Sequence, residues 1–426
     1  MTLGFPNFPK RANMNRLIVL LMSLFLLSCD EGLQETDYDP KGSTDTRDRP
    51  IQYQVKRTFR LDDGAVSFSN EFSGARLNSV TQVTPEHYKL TILPENEPIN
   101  KSPWYAFRVQ ANSERDIIIT LEYPGYKHRY VPKTSSDLRI WTPIDSHQMS
   151  LDTVTWLETS PVTTLRFPLR IGPEASYVAA QELLPADSVY AWEDQMIARH
   201  EGVKVCLGFS RLGKPIHLMN FGNLASRQWI FIMGRQHPPE VSGYLASQAF
   251  LETILKDNEL ANKFREQYRI AMVPMLNPDG IDNGHWRHSA GGVDLNRDWA
   301  SFHQPETKLI SEYLDHSIAE GIRVDFAIDF HSTDTDMYYI FTDDMPTHKQ
   351  GFTAKWLSLL KEKLPGYEPD TEATDMNSPS AKYYFFNQLR SEFVTFEVGD
   401  ETSRDEVNAR AVAGAEAMMQ LLTADQ

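Results

Sequence analysis

The first part of the chain consists of short apolar runs separated by turn residues. The segment IQYQVKRTFRL, which begins at Ile51, alternates apolar and polar residues, and WYAFRVQA, RDIIITLEY and TTLRFPLRI are short runs rich in β-branched and aromatic residues. Proline, glycine, asparagine and aspartate separate these runs, as is typical of strands joined by turns. The pattern predicts a β-sandwich domain over residues 51–171, and we find no cluster of candidate catalytic residues in it.

From about residue 175 onward, apolar runs alternate with amphipathic stretches. The runs are WIFIMG (229–234), YRIAMVPML (268–276), VDFAIDFH (324–331) and FVTFEV (393–398). The stretches between them, such as QPETKLISEYLDHSIAEG, have the spacing of helices. Strands that read as continuous apolar runs are buried on both faces. Residues 175–426 are therefore predicted to form an α/β domain, with a mixed, mostly parallel sheet and helices on both faces.

Composition restricts the partners and the metal ligands. The chain has 426 residues, a formal net charge of -16 and two cysteines, Cys29 and Cys206. Such an acidic chain argues against nucleic acid as a partner, because nucleic-acid binding requires a basic surface. Two cysteines provide neither a disulfide framework nor a cysteine-rich zinc site. Any bound metal ion is therefore expected to take histidine and carboxylate ligands.

The N-terminal segment has the features of a secretory signal. The basic residue Arg16 precedes the apolar run LIVLLMSLFLLSC, which is short for a membrane span. The end of this run, LLSC, resembles a bacterial lipobox, in which the cysteine is lipidated. We therefore predict a lipoprotein signal peptide over residues 1–29, a lipid anchor at Cys29, and attachment to a bacterial envelope membrane, on its periplasmic side or at the cell surface. Residues 30–50 contain seven acidic and three basic residues and are predicted to form a disordered tether.

The predicted strand ends carry residues suited to metal chemistry. In open α/β sheets the site lies beyond the carboxyl ends of the strands, which here carry His237, Glu240, His331 and Glu397. A catalytic zinc ion takes three protein ligands and keeps one position open. The two histidines and Glu240 make up that number, for one zinc ion per chain. Glu397 is then the natural base, and Asp294 is a plausible hydrogen-bond partner for His237.

The set resembles the M14 family of zinc carboxypeptidases over about residues 175–426. The resemblance is carried, in the family's order, by HPPE (237–240), NPDG (277–280), GVDLNRDW (292–299), DFHS (329–332) and FE (396–397). It implies zinc ligation by His237, Glu240 and His331, and a general base at Glu397. It further implies that Arg287 polarises the scissile carbonyl, and that Asn296 and Arg297 bind the terminal carboxylate of the substrate.

Within the family, the chain resembles the cytosolic-carboxypeptidase branch. Pro239 stands where the digestive enzymes have an arginine, and the stretch WYAFRV (104–109) is similar to one in the β-domain of that branch. The family also has a residue at the base of the specificity pocket about fifteen positions before the catalytic glutamate. That position is Lys382, whose ammonium group would favour a C-terminal aspartate or glutamate.

Three functions remain open on the sequence. The first is an exopeptidase that removes C-terminal residues from peptides, and the second is an amidase or peptidase that cuts the stem peptides of peptidoglycan. The third is a non-catalytic envelope protein that binds a partner through its β-domain. The complete set of zinc ligands and the intact Glu397 argue against the third.

Overall fold

The computed structural model describes residues 46–157, 160–374 and 376–424. The predicted signal peptide, Cys29 and most of the predicted tether lie outside the described residues. The last residues of that tether differ from the prediction, because Thr46 is buried and its hydroxyl donates to the carbonyl of Gly292. A helix long and apolar enough to cross a membrane is not found in the described part of the chain.

The described residues of the N-terminal region form eleven strands in two sheets. In chain order the strands are β1 (Thr58–Leu61), β2 (Val66–Ser69), β3 (Ser79–Thr84), β4 (His87–Thr91), β5 (Ala106–Ala111), β6 (Arg115–Glu122), β7 (Lys133–Ser135), β8 (Thr142–Pro143), β9 (Ser150–Leu157), β10 (Ser160–Ile171) and β11 (Ser176–Ala179). One sheet has the order β1-β2-β5-β11-β7-β8 and the other has the order β3-β4-β6-β10-β9. Only the β4–β6 pair among the strand pairs of these two sheets is parallel.

The two sheets share a single apolar core, as predicted for a sandwich. Strand β6 buries every second residue, and Phe68 of one sheet lies 5.3 Å from Tyr88 of the other, measured between ring centroids. The sandwich extends past its predicted end at residue 171, because β11 pairs with both β5 and β7. This strand has only four residues, SYVA, and such a short run is too weak a pattern to extend a domain boundary.

The second region is built on one eight-stranded sheet. Its strands are β12 (Val203–Phe209), β13 (Pro215–Gly222), β14 (Gln228–Gly234), β15 (Arg269–Val273), β16 (Arg323–Thr333), β17 (Met337–Ile340), β18 (Thr371–Ala373) and β19 (Glu392–Gly399). They lie in the order β12-β13-β15-β14-β16-β19-β17-β18. The central strands β15, β14, β16 and β19 are parallel to one another, and antiparallel pairs join β12, β13 and β17 to them. The sheet is therefore mixed and mostly parallel, as predicted.

Helices cover both faces of this sheet. The α-helices of the described residues are α1 (Ala186–His200), α2 (Val241–Ile254), α3 (Glu259–Gln267), α4 (Pro278–Asn283), α5 (Pro305–Ala319), α6 (Phe352–Lys363), α7 (Ala381–Asn387) and α8 (Arg404–Ala424). Ile230 and Ile232 of β14 pack with α2, α3, α6 and α8, whereas Trp229 and Phe231 pack with α5 and α7. Burial on both faces explains why β14 has an uninterrupted apolar sequence.

Candidate metal centre and substrate site

The candidate residues lie at the carboxyl ends of three adjacent parallel strands. The loop that follows β14 carries His237 and Glu240, while His331 and Glu397 lie near the ends of β16 and β19. The register of these two strands pairs His331 directly with Glu397. Because parallel strands end at the same edge of a sheet, the topology brings the four side chains to one place.

A close approach of helix α2 to strand β16 fixes the relative position of two of these residues. Glu240 is the N-cap residue of α2, and Gly243 lies in the first turn of the helix. A Cβ atom at Gly243 would lie 2.3 Å from the carbonyl oxygen of His331, so a larger residue would force the helix away. The backbone N–H of Gly243 also donates to Ser332 Oγ at 2.8 Å. Glycine here therefore allows Glu240 to lie beside His331.

The side chains of His237, Glu240 and His331 form a group that can bind a metal ion. One ligand atom from each residue lies within 4.8 Å of the others, and all three residues are buried. His237 Nδ1 is 2.7 Å from Glu240 Oε1, and His331 Nδ1 is 2.8 Å from Glu240 Oε2. Among the residues that the structure describes, no other group of three histidine, cysteine or acidic side chains converges in this way. Two imidazole nitrogens and one carboxylate are a donor set that zinc accepts.

The electrostatics of this group favour a bound cation. Burial alone would raise the pKa of Glu240, but His237 and His331 hold that pKa below its ordinary value. Burial lowers the pKa of His331, but Asp329 and Glu240 outweigh it and raise this pKa well above the usual range for histidine. The carboxylates thus create a potential that attracts positive charge to the His331 ring, either a proton or a metal ion.

Two aspartates orient the histidine rings. His237 Nε2 lies 2.9 Å from Asp294 Oδ1, as the sequence predicted, and His331 Nε2 lies 2.7 Å from Asp329 Oδ2. In both rings the outer nitrogen faces an aspartate, so Nδ1 is left to face the centre of the group. The role of Asp329 was not predicted from the sequence. Its signal was present in the motif DFHS, where an aspartate two residues before a histidine in a strand points to the same face.

Arg287 and Asp294 form a buried ion pair beside this group. Arg287 Nε donates to Asp294 Oδ2 at 2.7 Å, and the two side chains are only 12% and 13% exposed. Burial alone would lower the pKa of Arg287, but Asp294 and Glu240 raise it above its usual value. Burial would raise the pKa of Asp294, but Arg287 and His237 hold it well below the usual range. Asp294 therefore connects Arg287 with His237 through its two oxygens.

Glu397 lies on β19, opposite His331 on β16. Burial raises the pKa of its carboxyl group, and the charge of Glu240 adds to this effect while His331 opposes it. A carboxylate with a raised pKa is a stronger proton acceptor than an exposed one. The position and the environment of Glu397 therefore agree with the role of a general base.

Asn296 and Arg297 lie in a short 3₁₀ turn, Leu295–Arg297, at the edge of the group. Asn296 Nδ2 lies 3.4 Å from His331 Nε2, and Asn296 Oδ1 accepts a hydrogen bond from the backbone of Ala381 at 3.0 Å. Arg297 is exposed and donates to the Asn296 carbonyl at 2.7 Å. Asn296 is thus held inside the site, while Arg297 presents its guanidinium group at the surface beside it.

Lys382 directly follows Ala381 in helix α7 and is half-buried. Its Nζ lies 4.3 Å from the ring centroid of Tyr339 on β17. Burial lowers the pKa of Lys382 to about 8. The positive charge of Arg297 lowers this pKa further, whereas the negative charge of Glu397 acts in the opposite direction. Because the backbone N–H of the preceding residue, Ala381, donates to Asn296, this lysine lies beside the site.

Residues of the N-terminal sandwich also reach this site, although none of them was predicted from the sequence to do so. Arg129 pairs with Asp400 at 2.7 Å, just beyond β19, and donates to the carbonyl of Ser332 at 3.1 Å, just beyond His331. Glu95 accepts hydrogen bonds from the backbone on either side of Arg287. These contacts join positions 191 to 271 residues apart, so a local sequence pattern could not have predicted them.

Comparison with known proteins agrees with this arrangement. The family model described as zinc carboxypeptidase matches residues 189–395. Human cytosolic carboxypeptidase 1 is 41% identical over 85 residues, which is 20% of this chain but only 7% of the human protein. An uncharacterised protein of Zymomonas mobilis is 26% identical over 313 residues, covering 70% of this chain and 76% of that protein.

Among solved structures, the fold is similar to that of a metallo-carboxypeptidase from Burkholderia cenocepacia. The two chains superpose with a TM-score of 0.71 at 18% identity, over 85% of this chain and all of the other. This similarity covers both the sandwich and the α/β region, since neither alone amounts to that share of the chain. Residues 189–395, which the family model matches and which include the region of sequence similarity to the cytosolic carboxypeptidases, therefore belong to the M14 family of zinc carboxypeptidases.

Proposed function

We propose that this chain is a zinc-dependent metallocarboxypeptidase that hydrolyses the C-terminal peptide bond of its substrates. The observation that carries the proposal is the convergence of His237, Glu240 and His331, whose ligand atoms lie within 4.8 Å of one another, beside Glu397 on the neighbouring strand. A non-catalytic binding protein would have no need to keep such a group together with buried charges around it, because buried charges reduce stability unless they are well paired.

The metal would be held by His237 Nδ1, His331 Nδ1 and the Glu240 carboxylate, the three groups that face one another in the site. A zinc ion bound there supplies a Lewis acid and lowers the pKa of a coordinated water molecule. Asp294 and Asp329 accept hydrogen bonds from the outer nitrogens of the two rings and keep both rings in the tautomer that binds metal through Nδ1.

Glu397 acts as the general base and then as the general acid. Its raised pKa suits it to accept a proton from the attacking water molecule and to deliver that proton to the leaving amine. Because Glu397 pairs in register with His331, its carboxyl group is held on the side of the sheet where hydrolysis takes place. General acid–base assistance of this kind contributes roughly 10²–10⁴-fold to the rate.

Arg287 stabilises the negative charge that develops on the scissile carbonyl oxygen. Its Nε is engaged by Asp294, which orients the guanidinium group, and the charges of Glu240 and Glu397 also raise its pKa. A donor that is fixed before the reaction does not have to reorganise when the charge appears. Asp294 thus orients Arg287 and His237 together.

Asn296 and Arg297 bind the terminal carboxylate of the substrate. Asn296 is held near His331, and Arg297 adds a positive charge at the open side of the site. Recognition of a free carboxylate by these residues makes the enzyme an exopeptidase. Without the arginine that the digestive enzymes have at position 239, the carboxylate depends mainly on these two side chains.

Lys382 selects the departing residue. Its ammonium group lies against Tyr339 and is influenced by both Glu397 and Arg297, so it belongs to the wall of the substrate site. A positive charge in such a partly dry place favours a C-terminal glutamate or aspartate and repels lysine and arginine.

The physiological setting that we propose rests on the lipobox-like sequence at the N-terminus. A lipid anchor at Cys29 would hold the enzyme on a bacterial envelope membrane, where peptides and peptidoglycan stem peptides are both within reach. The acidic preference of Lys382 is compatible with both substrates. The test is incubation of the purified protein with a peptide library and, separately, with muropeptides, followed by mass analysis of the products. Release of single acidic residues from peptides supports the proposal, whereas cleavage of muropeptides alone would favour the cell-wall function.

A further inference from the structure

A carboxylate of the N-terminal sandwich holds the backbone of the loop that carries Arg287. Glu95 Oε1 accepts hydrogen bonds from the N–H groups of Arg287 at 2.9 Å and His288 at 2.7 Å, and Oε2 accepts one from Trp286 at 2.7 Å. Three consecutive backbone donors are therefore satisfied by one side chain. Glu95 itself is completely buried.

Neighbouring contacts secure the same loop at two further points. Asn96 Nδ2 donates to the carbonyl of Gly292 at 2.9 Å, and Asn96 Oδ1 lies 2.6 Å from His288 Nδ1. Trp286 is buried in the core of the sandwich, where its ring lies 5.0 Å from that of Tyr126. The loop is thus attached to the sandwich on both sides of Arg287.

The charge of Glu95 is stabilised in its buried position. Burial alone would raise the pKa of its carboxyl group, but His285, His288, Arg76 and the backbone donors hold that pKa below its ordinary value. A buried carboxylate that keeps its charge is costly unless its oxygens are well bonded. Here the bonding partners are backbone groups of the loop, so any movement of the loop removes the stabilisation. The carboxylate and the loop therefore restrain each other.

The loop position determines the geometry of the site through one chain of contacts. Arg287 Nε donates to Asp294 Oδ2 at 2.7 Å, and Asp294 Oδ1 lies 2.9 Å from His237 Nε2. A displacement of the backbone at residues 286–288 would move the Arg287 guanidinium group and loosen Asp294. A displacement of about 1 Å at a catalytic group can lower the rate about 10²-fold.

We propose that Glu95 is a positioning residue for peptide-bond hydrolysis, which it supports by fixing the backbone of Arg287 from outside the α/β domain. This inference rests on the proposed function. It assigns a task to the sandwich, which is to hold one side of the active site in place, and it predicts that the α/β region requires the sandwich for full turnover.

The test is a double-mutant cycle with Glu95→Gln and Arg287→Ala in the full chain. Glutamine has the shape of glutamate, but its amide group cannot accept from all three N–H donors, so at least one bond is lost. Glu95→Gln should lower kcat by about 10- to 100-fold, the usual loss when a partner that orients a catalytic group is removed. KM should stay within about twofold, because the contacts to the substrate carboxylate are unchanged.

In the Arg287→Ala background, Glu95→Gln should change kcat by less than about twofold, since the residue through which it acts is gone. The matched control is Glu86→Gln, which removes an exposed carboxyl group of the same sandwich and should not change kcat in either background. An equal loss in both backgrounds would overturn the inference, because it would show that Glu95 does not act through Arg287.

Amide hydrogen exchange provides a measurement that does not depend on activity. In Glu95→Gln the amides of residues 286–288 should exchange faster, whereas those of strand β16 should not change. Unchanged exchange at 286–288 would also refute the inference. If Glu95→Gln does not fold, Asn96→Ala enters the same cycle and should give a smaller loss that again disappears without Arg287. Failure of the proposed function would give a different result. The wild-type protein would then hydrolyse no peptide, although the amides of residues 286–288 would still be protected from exchange.

Discussion

Replacement of Lys382 by methionine should abolish a preference for acidic C-terminal residues. Methionine has a similar length, has no charge, and can keep a favourable contact with the Tyr339 ring that Lys382 now covers at 4.3 Å. The change therefore removes the ammonium group and leaves most of the packing. The informative substrates are peptides that differ only in a C-terminal glutamate or glutamine, because these two residues have the same shape.

The expected size of the effect follows from the environment of the ammonium group. Two opposite charges about 4 Å apart attract each other by about 4 kcal/mol at an effective dielectric constant of about 20, which suits a half-buried group. Removal of both charges from water offsets part of this energy, and measured couplings between close charge pairs start at about 1.5 kcal/mol. A net value of about 2–3 kcal/mol corresponds to a preference of about 30- to 140-fold for glutamate over glutamine in kcat/KM.

The preference should also depend on pH. Burial lowers the pKa of Lys382 to about 8, so the group is charged below that pH and neutral above it. The ratio of kcat/KM for the two peptides should therefore fall as the pH rises from 7 to 9, because kcat/KM reports groups of the free enzyme. A Lys382→Arg variant stays charged over this range, so its ratio, whatever its size, should not change with pH.

The assay is a competition between the glutamate and glutamine peptides at several pH values, with products counted by mass spectrometry. Lys308→Met is the matched control, since Lys308 is an exposed lysine whose side chain is 59% accessible. The reasoning is refuted if the wild-type enzyme prefers neither peptide. It is also refuted if Lys382→Met keeps the wild-type ratio.

Three further outcomes are expected. Glu397→Gln should keep its zinc while kcat falls at least about 10²-fold, and near-normal kcat with zinc bound would show that another group is the base. Arg287→Ala should lower kcat by roughly 10²–10³-fold, whereas Arg297→Ala should mainly raise KM; steady-state kinetics would contradict this division if the two variants behaved alike. Cys29→Ser should move the protein from the membrane to the soluble fraction on cell fractionation, because a lipobox implies more than one acyl chain at that cysteine; membrane retention would exclude the predicted anchor.

The main architecture could be predicted from the sequence because the patterns were strong. The four apolar runs became strands β14, β15, β16 and β19, and the stretch QPETKLISEYLDHSIAEG, which has the spacing of a helix, became α5. Strand ends in a parallel sheet occupy one edge, so the same patterns also indicated which polar side chains would meet. His237, Glu240 and His331 do converge there.

Contacts between distant segments could not be predicted in this way. Glu95 lies in the polar, proline-rich stretch LPENEP, whose sequence is that of an ordinary exposed turn. Only the folded structure shows that this carboxylate accepts a hydrogen bond from the backbone of Trp286. Arg129 and its partner Asp400 are 271 residues apart. Thr46 was assigned to the tether because its neighbours are polar, yet its hydroxyl finds the carbonyl of Gly292. Composition describes the average tendency of a segment and does not determine which single residues are buried.

The most direct test of the central proposal is the release of C-terminal residues in relation to bound zinc. Purified protein would be treated with a chelator, reloaded with known amounts of zinc, and incubated with peptides that have free or amidated C-termini. We predict that single residues are released only from peptides with free C-termini, and that this activity disappears after chelation. In the wild-type protein the activity should return fully at one zinc ion per chain, whereas in His237→Ala it should not. Hydrolysis that survives complete removal of zinc, or equal cleavage of amidated peptides, would contradict the proposal of a zinc carboxypeptidase.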